Sequence, residues 1–185
     1  MKFIKLIVLG LIFISSVDAA EREVELNDLF KKLRDNEKIE AKKIEKRILE
    51  IWSTHPSNDR KGHRLTSLLA QGSSLIAKKD LYKAHEIFSQ IILIDPSWPE
   101  VWNKRAIVHF LLGMYKESLD DIDNVLKHEK RHFGALSTQG MVQNELKNFI
   151  KALESFKLAQ KIYPSLEAPK VMIPLLKELV KGLTT

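Results

Sequence analysis

Three stretches of this chain repeat one another at a spacing of 34 residues, and no other feature restricts the fold as much. Leu68, Trp102 and Leu136 form one column, Gly72, Ala106 and Gly140 a second, and Ala84, Ser118 and Ala152 a third. Phe88, Ile122 and Phe156 follow, and Pro96, Lys130 and Pro164 close the unit. Large residues fall on large and small on small, as two helices require if they are to approach closely around one bulky side chain. Such a unit buries its apolar face only against a copy of itself, so the columns predict an all-α array of helical hairpins. With 44% hydrophobic and 29% charged residues among 185, the composition suits one folded domain and is too apolar for disorder.

The units occupy about 63–96, 97–130 and 131–164, and in the middle one Trp102, Ala106, Gly113, Tyr115, Ser118, Leu119 and Ile122 run as aromatic, small, turn, aromatic, small and large apolar. This pattern resembles the tetratricopeptide repeat family, over a little more than half of the chain. The resemblance implies a right-handed α-solenoid of about three hairpins. There are departures: Gln71, Arg105 and Gln139 stand where the family usually has leucine, His109 where it has tyrosine, and Lys130 in place of the final proline. They predict a more polar contact between first helices. The resemblance also implies that the first helices line a concave groove. Its candidate residues here are Leu69, Asn103 and Ser137; Ser73, Ile107 and Met141; Ile76, Phe110 and Asn144; and Lys104 beside them. Leu69, Ile76 and Phe110 have a second reading as core. Apolar anchors among amides suit an extended peptide or a partner helix, and Lys104 alone does not make the basic clamp with which some family members hold a C-terminal carboxylate.

The ends of the chain read differently. Lys2 and Lys5, the apolar run Leu6 to Ile14, and the small residues Val17-Asp18-Ala19-Ala20 predict a signal peptide over 1–19, cleaved after Ala19. A span needs about 20 apolar residues, which makes a retained anchor and a membrane-tethered assembly factor the alternative. With no cysteine there is no lipid attachment site, and export points to the periplasm or beyond. The layout resembles small exported repeat proteins of Gram-negative bacteria. Over 20–60, the stripes Leu26, Leu29, Phe30, Leu33 and Ile44, Ile48, Ile51, Trp52 predict two charged helices with a turn at Asp35-Asn36, forming a cap or a degenerate repeat. Over 165–185 a capping helix closes the stack; Pro174 predicts a short turn at Glu167 to Ile173 and a helix starting at the proline.

The formal net charge is +6, and removal of Lys2, Lys5 and Asp18 would leave +5, spread among interleaved acids and bases that read as solvated helix faces. No one-signed stripe with aromatic stackers is visible, so nucleic acid is not an expected partner. His128-Glu129-Lys130-Arg131-His132 matches H-E-x-x-H, a zinc hydrolase pattern that needs all five residues on one helix. The repeat register puts Lys130 at the turn between units, and no third ligand, phosphate loop or nucleophile elbow accompanies the motif. No cofactor is expected. Trp98-Pro99, in another such turn, is either an exposed contact or a side chain packed on the next helix. The sequence therefore predicts a non-enzymatic adaptor whose partner is another protein or peptide, with a membrane partner only if the first segment is retained.

Overall fold

The computed structural model of the protein describes residues 20–35 and 38–182. The predicted signal segment, its cleavage site and Asn36 lie outside the described residues. Nine helices and no strand occur among those residues: α1 (20–35), α2 (Lys38–Ser53), α3 (Arg60–Ala77), α4 (Leu81–Ile94), α5 (Pro99–Leu111), α6 (Tyr115–His128), α7 (Phe133–Glu145), α8 (Phe149–Ile162) and α9 (Glu167–Gly182). The hairpins α3/α4, α5/α6 and α7/α8 are the three units, each stacked on the next, with α9 against α8.

The columns act by close approach. A Cβ built on Gly72 would lie 2.5 Å from the Phe88 ring, and one on Gly140 2.8 Å from the Phe156 ring. The middle unit makes the same contact with Ala106 and Ile122, where a narrower partner admits a methyl group; all six residues are buried. In the next column Ser118 replaces alanine, and its buried hydroxyl donates to Ala106 O at 2.8 Å.

Each first helix ends in the same way. Lys79, Gly113 and Lys147 take positive φ (61°, 75° and 58°), and the next residue donates back over five positions: Asp80 N to Leu75 O, Met114 N to His109 O, Asn148 N to Gln143 O. This left-handed close fits glycine without cost and lysine only with strain. At the other end of α3, Asp59 Oδ1 accepts from Gly62 N at 2.6 Å, the usual service of an N-cap aspartate. Gly62 is obligatory there, since a Cβ would fall 1.8 Å from Ser57 O.

Two terminal features depart from the sequence reading. The α1/α2 hairpin neither caps the first unit alone nor stacks as a further one. Its apolar face, with Leu26, Phe30, Leu33, Ile48, Ile51 and Trp52, lies along the turns that join successive units and forms one core cluster with Phe133 and Tyr163. The segment after it meets the first unit where His55 N donates to Thr66 Oγ1, and the hairpin meets the turn into the second where Trp98 Nε1 donates to Trp52 O, both within 2.9 Å. It meets the third where Tyr163 OH donates to Glu45 Oε2 at 3.0 Å. Between them Arg131 bonds Glu23 and Asn27 and stacks over Phe30. The reason is chemical: the turns carry Trp98, His132, Phe133 and Tyr163, all buried, and the hairpin is the apolar surface that buries them.

At the C-terminus, α9 is continuous through Pro174, contrary to the expected turn. It stands where the first helix of a fourth unit would be. Pro169, Ile173 and Leu176 are buried against α8, while Lys170, Pro174 and Lys177 are exposed where the columns predict the contacts for a further second helix. Burial of that face outweighs one lost backbone hydrogen bond at an exposed proline.

Candidate functional site: the concave face

The first helices α3, α5, α7 and α9 run parallel, so residues 34 apart lie side by side across them. Of the ten groove candidates, Leu69, Asn103 and Ser137 are buried. They form one column, near the helix starts where α2 and the segment after it pack, and they are not surface a partner meets. Leu69 belongs to the core of the first unit, as its second reading held. Asn103 Nδ2 donates to Glu100 Oε2 at 3.2 Å, and Ser137 Oγ donates to Phe133 O at 2.9 Å. Ser73, Ile76, Lys104, Ile107, Phe110, Met141 and Asn144 are half-buried. Ile76 and Met141 also pack on the cores beside them.

The strip these residues leave open continues onto α9, which the sequence reading did not include. Val171, Leu175 and Glu178 follow Ser137, Met141 and Asn144 at 34 residues, and Val171 and Leu175 are exposed. Asn144, Met172, Leu175, Leu176, Glu178 and Leu179 line a depression of about 530 Å³ at this end. The α9 extension was legible, because its columns are those of the three units.

The closed part of the face holds an unusual polar core. His132 Nδ1 accepts from Ala135 N at 3.1 Å as the N-cap of α7, so its proton sits on Nε2, which donates to the buried Glu100 at 2.9 Å. The Trp52 ring stacks on this imidazole, 4.0 Å between centroids at 11°. Lys104 Nζ lies 3.0 Å from the other Glu100 oxygen, out of line for a hydrogen bond. Burial pushes the Glu100 carboxyl up, but the hydrogen bond from His132 and the Lys104 charge outweigh it and hold the group below the ordinary glutamate range. His55 repeats the arrangement one turn earlier: Nδ1 accepts from Ser57 N at 3.0 Å and Nε2 donates to Asp95 at 2.8 Å.

The departures from the repeat pattern gather in the middle unit. Arg105 donates to both Asp121 oxygens at 2.9 and 2.7 Å, reaches Ser89 of the unit before at 3.1 Å, and lies over the Trp102 ring. His109 Nδ1 is 3.0 Å from the same carboxylate. Burial pushes the Asp121 carboxyl up, and the hydrogen bonds and charge of Arg105, with the His109 ring beside them, bring it below its ordinary value. The polarity thus falls between the first and second helices of one unit, rather than between first helices. Gln139 accepts from Ser155 at 2.9 Å in the equivalent place, and Gln71 is exposed.

Two other expectations are decided here. His128 is the last residue of α6 and His132 caps α7, Glu129 binds Arg131, and among the described residues no group of three metal-ligating side chains exists, so the H-E-x-x-H residues form no zinc site. Trp98 is buried against α2 and the edge of the His55 ring, which makes it a packing residue.

Helix pairs in register, the glycine and alanine columns and the concave strip together define a helical-repeat solenoid. Its fold is that of tetratricopeptide repeats. No family model matches the chain. Over 158 residues it is 29% identical to a TPR repeat-containing protein of Rhizobium etli, covering 85% of this chain and 75% of that one. Over 96 residues it is 25% identical to the BBSome complex member BBS4 of Bos taurus, covering 52% of this chain and 18% of that protein. Among solved structures it superposes on the Sgt2 TPR domain of Aspergillus fumigatus with a TM-score of 0.62 at 18% identity, covering 65% and 82% of the two chains. It superposes equally on the first TPR of Spaghetti (RPAP3) bound to an HSP90 peptide, TM-score 0.62 at 14% identity over 64% and 94%. At such identities the likeness is one of fold.

Proposed function

We propose that this protein is a non-enzymatic adaptor that holds another protein or a peptide along the open strip of its concave face. The observation that carries the reading is that strip itself: Ile76, Ile107, Phe110, Met141 and Leu175 stand side by side across four parallel helices, none of them fully buried. Solenoids present such surfaces for recognition, and the RPAP3 and Sti1 domains that it resembles in fold are described in complex with HSP90 or HSP70 peptides or with Hsp70. The ligand differs from an acidic C-terminal peptide, because the one groove lysine, Lys104, is already held by Glu100. We further propose that the chain is exported, on the strength of the sequence of residues 1–19, and acts in the periplasm once that segment is removed; retention of the segment is the membrane-tethered alternative.

The test is affinity capture from the cell envelope with the native chain and with an Ile107→Ala, Phe110→Ala, Met141→Ala variant. Loss of a captured protein from a variant with an unchanged helical signal supports the groove; equal capture overturns it. The mass of the chain recovered from its own cells separates a processed protein from an anchored one.

A further inference from the structure

The two edges of the array differ in a way that binding along the groove does not use. One edge, at residues 95–99, 129–133 and 163–167, is covered by the α1/α2 hairpin and carries Lys130 and Arg131 against Asp95, Glu129 and Glu167. The other edge holds the turns within each unit and the end of α9, at residues 77–83, 111–117, 145–151 and 178–182. It carries seven lysines against four carboxylates. All first helices run the same way, so these four segments emerge on one side. Each projects at least one exposed apolar side chain: Tyr82, Leu111 with Met114, Leu146 with Ile150, and Leu179, with Tyr82 75% and Ile150 59% exposed.

The lysines are placed at a cost. Lys79 and Lys147 occupy the left-handed position that Gly113 fills in the middle unit, and a side chain there is strained where glycine is not. No carboxylate of the described residues pairs with Lys78, Lys79, Lys116, Lys147 or Lys151, whereas Lys83 is answered by Asp80 at 2.6 Å. We propose that this edge is a docking surface for anionic phospholipid headgroups, with its apolar side chains entering the headgroup layer between the lysines. One or two apolar projections per turn, interspersed with lysines along the edge, do not build the contiguous patch a protein partner needs. They do suit a fluid, negatively charged surface that closes around each one. No helix among the described residues is long and apolar enough to cross a membrane, so the contact is peripheral.

The test is sedimentation of the full chain with vesicles of equal parts phosphatidylglycerol and phosphatidylcholine, beside vesicles of phosphatidylcholine alone. The variant is Lys79→Gly with Lys147→Gly, which relieves backbone strain and so keeps or raises the melting temperature. Lys130→Gln, on the covered edge, is the control. The expected result is binding to the anionic vesicles only, weakened by raised salt, lowered roughly 25-fold in the double variant at about fivefold per lysine, and unchanged in the control. Binding that is equal for both vesicle types, equal in the double variant, or absent overturns the proposal, as does a protein captured through the same lysines while vesicles are ignored. Because every variant keeps residues 1–19, binding driven by that segment would appear as equal binding of the double variant.

Discussion

The middle unit and the two outer units reach the same helical hairpin by different chemistry. The outer pair use glycine against phenylalanine, with lysine at the left-handed turn position; the middle one uses alanine against isoleucine, an Arg105–Asp121–His109 cluster between its helices, and glycine in the turn. Helix separation is therefore set by the summed bulk of a facing pair, not by either residue. The polar cluster shows that a buried position in such a unit can be filled by charge when a partner faces it across the hairpin.

The comparison breaks most readily at the cluster. Asp121→Ala leaves Arg105 largely buried without a counter-charge and should destabilise by about 3 kcal/mol, read by urea denaturation. The double change Arg105→Leu with Asp121→Leu, which restores the usual leucine, should recover most of the loss; if it does not, the cluster is worth more than an apolar filling. Next is Gly140→Ala, which drives a methyl into Phe156 and should cost about 1 to 3 kcal/mol. Adding Phe156→Ile recreates the middle pairing and should return part of that, a compensation that single-site reasoning does not give. The pH dependence is smaller. The Asp121 and Glu100 carboxyls are held below their ordinary values, so their stabilisation is complete above about pH 5 and declines as the pH falls further. The protein carrying both leucine substitutions should show a shallower acid limb in a stability profile. Smallest is the turn: Gly113→Ala should cost about 1 kcal/mol through its positive φ.

These differences mark how far the sequence could be read. The 34-residue period exposes the Gly72–Phe88, Ala106–Ile122 and Gly140–Phe156 pairs, because each is local to one hairpin and recurs. Arg105 and His109 were visible as departures, but their partner Asp121 was not, since a carboxylate on a helix face looks solvated until the facing helix is placed. The hairpin was misread for a related reason. Trp52 meets His132, and Glu45 meets Tyr163, across separations of 80 and 118 residues that no period encodes. The columns alone therefore place Asn103 and Ser137 in the groove, whereas both are buried. Pro174 was read by its backbone penalty alone, without the buried face that outweighs it.

A stack of hairpins is close to a one-dimensional lattice, in which each unit feels only its neighbours and the ends can fray while the middle holds. The hairpin and the segment after it, which touch His132, Tyr163 and Asp95, add bonds between sites that are not neighbours. Melting the third unit then requires giving up contacts that also anchor the first, so the array should open as one cooperative body, with amide exchange nearly uniform across α3 to α8. The same long-range closure raises the mean sequence separation of the contacts, and folding should be slower than for a bare array of equal length.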